Sequence, residues 1–128
     1  MEVEIKTVDY WNDVCRGKGN SDVLPVGREE KDYCFSCGGY LFLLQGVQEL
    51  NNLCIVKERE GEVGDVIAVM RLVFRYLYEN GIVCVAILSG SGHKSYDVLY
   101  RYFNAENIVK SNGLYFVYLT ESKEWEYE

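Results

Sequence analysis

The sequence predicts one mixed α/β domain of the α+β kind, with a mostly antiparallel central sheet of about six or seven strands flanked by helices. Three observations predict it. Apolar segments of strand length recur along the chain, separated by Gly-Gly, Ser-Gly and Asn-Gly turn signals. One stretch, Asp65 to Asn80, carries apolar residues at helical spacing. A length of 128 residues with 48% apolar content supplies one core, with residues 1–120 as the domain and 121–128 as an acidic tail.

Glu2 to Val8 (EVEIKTV) alternates polar and apolar residues and reads as an opening strand. Asp9 is placed to cap a short helix through Tyr10, Trp11 and Val14. Arg16 to Asp32, with Gly17, Gly19, Pro25 and Gly27, reads as a loop with one helical turn. Tyr33 to Cys37 and Tyr40 to Gln45 are strands joined at Gly38-Gly39, where both positions accept positive φ. A turn at Glu49 to Asn52 leads into the next strand, Leu53 to Glu58. On the helix opened by Asp65, residues Val66, Val69, Met70, Val73, Phe74 and Leu77 share one face, and Arg71, Arg75 and Glu79 another. Asp65 suits its N-cap and Gly81 its stop.

Ile82 to Leu88 (IVCVAIL) is apolar throughout, the pattern of a strand buried on both faces. Ser89 to Gly92 (SGSG) breaks it. Lys94 to Phe103 reads as a second amphipathic helix with Tyr96, Leu99, Tyr100 and Phe103 inward, closed by Asn104. Glu106 to Lys110 and Leu114 to Leu119 are the last strands, joined at Ser111-Asn112-Gly113.

The formal charge is −7. Such a surface repels phosphate backbones and anionic membranes, so neither nucleic acid nor membrane is expected as a partner. It suits a cationic substrate, a basic protein partner, or solubility alone. No apolar run reaches the ~18 residues of a membrane span, and MEVEIKTVDYW lacks the pattern of a signal peptide. A cytoplasmic, reducing setting is expected, in which Cys15, Cys34, Cys37, Cys54 and Cys84 are read as thiols.

Over residues 33–119 this order of elements resembles the GNAT acetyltransferase superfamily. LCIVKEREGEVGDVIAVMRLVFRYLYENG is similar to the family's fourth strand, acetyl-CoA loop and following helix. IVCVAILSGSGHKSYDVLYRYFNAENI is similar to its buried fifth strand and tyrosine-bearing helix, with Leu99 and Tyr100 matching the helix's Leu-Tyr. The resemblance extends to short, diverged versions encoded by bacteriophages, some of them virion proteins, which would place the chain in a virion or host cytoplasm.

The resemblance implies transfer of an acetyl group from acetyl-CoA to an amine of a small molecule or protein, with no metal. Ile55, Val56, Lys57 and Ser89 would line the cofactor groove. Arg59, Gly61, Gly64 and Asp65 would surround the pyrophosphate at the helix N-terminus, where backbone amides and the helix dipole attract an anion. Tyr100 would protonate the departing thiolate, and His93 or Glu58 would take the proton of the amine. Glu49 is a second carboxylate of the same kind. The loop departs from the family pattern at Glu62, which stands in place of a glycine, and Glu58, Glu60, Glu62 and Asp65 crowd it with negative charge. A catalytically inactive GNAT-fold binding or structural protein is therefore the alternative.

Two further constellations bear on function. Cys34-Phe35-Ser36-Cys37-Gly38 has the spacing of a zinc knuckle, but a structural site needs four ligands and no second pair accompanies it. A redox pair would precede a helix, and a Gly-Gly turn follows instead. Ser89 to Ser95 (SGSGHKS) stands where a phosphate loop would, without that motif's full spacing.

Overall fold

A computed structural model describes residues 2–18, 26–28, 30–47, 50–58, 65–88 and 107–119. They contain seven strands and two helices, and every strand pairing within either unit is antiparallel. The fold is therefore mixed α+β. The chain divides into two compact units, Met1–Gly64 and Asp65–Glu128.

In the first unit, β1 (Glu4–Lys6) is followed by α1 (Val8–Gly17), β2 (Tyr33–Cys37), β3 (Tyr40–Val47) and β4 (Leu50–Lys57). The strands pair in sequence order, β1-β2-β3-β4. Gly38 and Gly39 turn the β2–β3 hairpin at φ 59° and 87°, backbone that a side chain at either position would strain. The register sets two faces. Cys34, Leu43 and Cys54 form one row, with Leu41 and Val56 in the next row of the same face. That face packs on Val8, Trp11 and Cys15 of α1. The opposite face carries Phe35, Phe42 and Ile55 in one row and Leu44 and Leu53 in another, all buried. The rings of Phe35 and Phe42 stack with centroids 5.2 Å apart.

The boundaries differ from expectation in instructive places. Thr7, not Asp9, caps α1: its hydroxyl accepts from the Tyr10 amide, which leaves Asp9 in the first turn, where its charge faces the positive helix end. The helix runs on through Cys15 to Gly17, because Cys15 joins the buried stripe. β4 begins at Leu50, so the turn expected to run to Asn52 is shorter: Leu50, Asn51 and Asn52 already pair with Val47, Gly46 and Gln45.

The second unit contains α2 (Val66–Glu79), β5 (Cys84–Leu88), β6 (Ile108–Ser111) and β7 (Leu114–Tyr118). Its strands lie in the order β5-β7-β6. On α2, residues Val69, Met70, Val73, Phe74 and Leu77 of the expected stripe are buried, and Val66 at its first turn is half-buried. Asp65 caps it as expected, and Asn80 closes it with its side-chain amide on the Tyr76 carbonyl. Val85, Ala86 and Ile87 of β5 are buried, but Val83 is 64% exposed, so the apolar run starting at Ile82 is longer than the strand. Asn112, at φ 51°, and Gly113 turn the β6–β7 hairpin. The expected helix from Lys94 to Phe103 and the acidic tail lie outside the described residues.

Candidate functional site

Among the expected site residues, Glu58, Ile55, Val56, Lys57 and Asp65 are described. Arg59, Gly61, Gly64, Ser89, His93 and Tyr100 lie outside the described residues, as does Glu49. Ile55 and Val56 point to opposite faces of β4, opposite Phe42 and Leu41, and both are buried. Their side chains belong to the sheet core. Lys57 is exposed at the strand end, opposite Tyr40.

Glu58 follows β4 directly. Its amide donates to the Gly39 carbonyl at 2.9 Å, which ties it to the β2–β3 turn. Its carboxylate accepts from the Tyr10 hydroxyl of α1 at 2.8 Å in a half-buried setting. The Lys6 ammonium stands 5.5 Å from the centre of the Tyr10 ring and 3.4 Å from Glu4. One position before Trp11, which enters the core, α1 thus also delivers a hydroxyl to the sequence-predicted base. The sequence reading missed Tyr10, because periodicity marks it only as a helix-face aromatic.

Asp65 stands at the head of α2, and its carboxylate accepts from the Ile67 amide at 2.9 Å. A pyrophosphate at a helix N-terminus needs those first-turn amides. Asp65 takes one of them and places a full negative charge at the positive end of the dipole. An anionic cofactor therefore fits the described residues here poorly.

A second polar cluster was not foreseen. Asp32 is buried, with its side chain wholly shielded. It accepts from the Arg28 amide at 2.7 Å, the Arg28 guanidinium at 3.1 Å and the Gln45 amide group at 2.8 Å. Burial alone would raise its carboxyl, but the hydrogen bonds from Arg28 and Gln45, with the charge of Arg28, outweigh it and hold it below its ordinary value. Gln45 also donates to the Val26 carbonyl, and Arg28 to the Gly46 carbonyl. The sequence signal is slight: Arg28 and Asp32 stand four apart inside a stretch read as loop with one helical turn. Such a turn is present, since the Lys31 and Asp32 amides donate to the Arg28 carbonyl.

All five cysteines are free thiols. Cys34 and Cys37 are three apart on one strand, so their side chains leave opposite faces and cannot grip one metal. Cys34 and Cys54 flank Leu43 in one row, two strand spacings or about 9.5 Å apart, which no disulfide spans. Burial, then the neighbouring Cys15 and Glu58, pushes the Cys34 thiol up to about 12. Burial, then Cys15 and Asp32, pushes Cys54 up to about 11. These are protonated core thiols at neutral pH. Among the described residues no group of His, Cys, Asp and Glu side chains could hold a metal ion. Among the same residues no helix is long and apolar enough to cross a membrane.

No family model, curated protein or solved structure matches the chain.

Proposed function

We propose that the protein is a GNAT-like binding domain, in which the fold serves as a scaffold for a partner and acidic side chains close the acetyl-CoA position. The competing reading is an N-acetyltransferase acting on an amine. The observation that carries the proposal is the bond from the Ile67 amide to the Asp65 carboxylate. It fills the position where the family resemblance would seat a pyrophosphate. Between Glu58 and Asp65 the sequence adds Glu60 and Glu62 against Arg59 alone. Each exposed like-charge pair near a bound diphosphate costs on the order of 1 kcal/mol, less in salt. Glu58, the described candidate for a base, already accepts a hydrogen bond from Tyr10. The formal charge of −7 favours a basic protein as the partner, through long-range attraction and faster encounter.

Isothermal titration calorimetry with acetyl-CoA tests this reading. No binding is expected up to millimolar ligand at low salt. Micromolar affinity would overturn the proposal and return the chain to the transferases, where Tyr100→Phe should then slow turnover with little change in affinity. Asp65→Ser sharpens the test, because serine keeps the cap and removes the charge. A gain in acetyl-CoA affinity would identify Asp65 as the group that closes the site. No gain would remove Asp65 from the argument.

A further inference from the structure

Residues 26–28 and 30–32 are held against the flank of α1 and the end of β3 by an unusual concentration of directed bonds. Asn12 of α1 pairs with both backbone groups of Gly27, accepting from its N–H at 2.8 Å and donating to its carbonyl at 3.3 Å. This imitates a sheet bridge with a side-chain amide. Gly27 lies so close that a Cβ there would stand 2.5 Å from Val8 Cγ1 and 3.5 Å from Leu43 Cδ1. Gln45 of β3 holds the Val26 carbonyl at 3.0 Å, and Arg28 holds the Gly46 carbonyl at 2.9 Å. Both donors also bond to one acceptor, the shielded Asp32 carboxylate.

The apolar contribution of this segment is slight: Val26 is 74% exposed, and Gly27 has no side chain. Its attachment therefore rests on polar bonds, and these converge on one charge. We propose that residues 26–28 and 30–32 form a strap that opens and closes as a unit over the Val8–Leu43 flank of the α1 core, with Asp32 as its latch. Opening breaks the Asn12, Gln45 and Arg28 bonds together, because Gln45 and Arg28 each link Asp32 to the rest of the strap or to β3. It leaves β2, β3 and β4 paired and uncovers Val8 and Leu43, which are buried when the strap is closed. Segments with few buried apolar contacts and many directed bonds are the ones that open below the global unfolding free energy.

Native-state hydrogen exchange on the full chain tests the strap. In the wild-type protein the amides of Gly27, Arg28, Lys31 and Asp32 should exchange through an opening insensitive to low denaturant, while those of β3 and β4 require a larger, denaturant-sensitive opening. Asp32→Asn turns an acceptor into a donor facing Gln45 and Arg28, so exchange of the strap amides should quicken by about ten- to a hundredfold, with β3 and β4 unchanged. Strap amides that exchange in step with β3 and β4 in the wild-type protein would overturn the proposal, and this arm stands even if the variant fails to fold. Unaltered strap exchange in Asp32→Asn, or an equal rise across residues 33–57, would overturn it too.

Discussion

The polar bonds described for the two helices differ in reach. The polar contacts described for α2 at Asp65, Arg75 and Asn80 stay within about one turn: to Ile67, to Glu79 and to Tyr76. α1 reaches much farther. Tyr10 bonds to Glu58, 48 positions away, and Asn12 bonds to Gly27, 15 positions away. Their buried faces differ as well. That of α2 is Val69, Met70, Val73, Phe74 and Leu77, none of them ionisable, whereas α1 shares its core with the thiols of Cys15, Cys34 and Cys54. A helix whose polar bonds are local can be read from a short window of sequence. One whose bonds are distant depends on segments that the window does not contain.

The sharpest consequence of that difference lies at high pH. The Cys34 thiol, held up to about 12, stays protonated in the folded chain while the unfolded chain releases the proton near 9.0. The folded state then binds more protons, so its stability is fully present below about pH 9 and falls as pH rises toward the folded value. The loss is on the order of 2 kcal/mol between about pH 9 and pH 10.5. Urea melts across that range should show it, and Cys34→Ala should make the alkaline limb shallower while lowering stability at neutral pH, with the buried Cys54 thiol keeping part of the slope. Phe74→Leu on α2 should lower the whole curve without changing its shape. An unaltered alkaline slope in Cys34→Ala would remove the thiol from the account.

A steric change comes next. Gly27→Ala drives a methyl group into Val8, and overpacking of this kind costs about 1–3 kcal/mol. Gly46→Ala meets nothing within 4 Å and serves as the control, with a change of about 0.5 kcal/mol or less. Equal melting midpoints for the two variants would show that α1 yields easily at Val8, and that its distant contacts do not fix its position.

Most of the fold was legible because it rests on local signals. The stripe of α2, the Asp65 cap, the Gly38-Gly39 and Asn112-Gly113 turns and the strand segments around them all follow from spacing or from backbone freedom at named positions. The misplacements have identifiable causes. Thr7 and Asp9 can each cap a helix, and the choice between them follows from which start buries Val8 and Trp11 together. Val83 is as apolar as Val85, yet it lies before the strand and is exposed, which composition does not encode. Of the candidate site, the sequence reading named Glu58 and Asp65 and the capping role of Asp65, but not the hydroxyl that Glu58 bonds to. The Tyr10–Glu58 bond depends on α1 packing against the sheet, and Gln45 meets the Arg28–Asp32 pair through the β2–β3 register, in which Tyr33 stands opposite Leu44; sequence spacing anticipates neither meeting.

The smallest effects test whether distance in sequence matters energetically. Tyr10→Phe keeps the ring and removes only the hydroxyl bonded to Glu58. A half-buried hydrogen bond to a charged group is worth about 1 kcal/mol once its exchange with water is counted. Arg75→Ala removes the ion pair with Glu79 on α2, whose partners are 53% and 60% exposed and 3.1 Å apart. Solvent screens that pair, and the loss should be about 0.3–0.5 kcal/mol, shrinking further in high salt. Thermal melts of both variants at low and high salt separate the two. Tyr10→Phe should be the more destabilised and the less sensitive to salt, because its bond is partly shielded from ions. If Arg75→Ala costs as much as Tyr10→Phe and keeps that cost in high salt, the local pair is holding α2 as firmly as the distant bond holds α1. The contrast between the two helices would then rest on their cores alone.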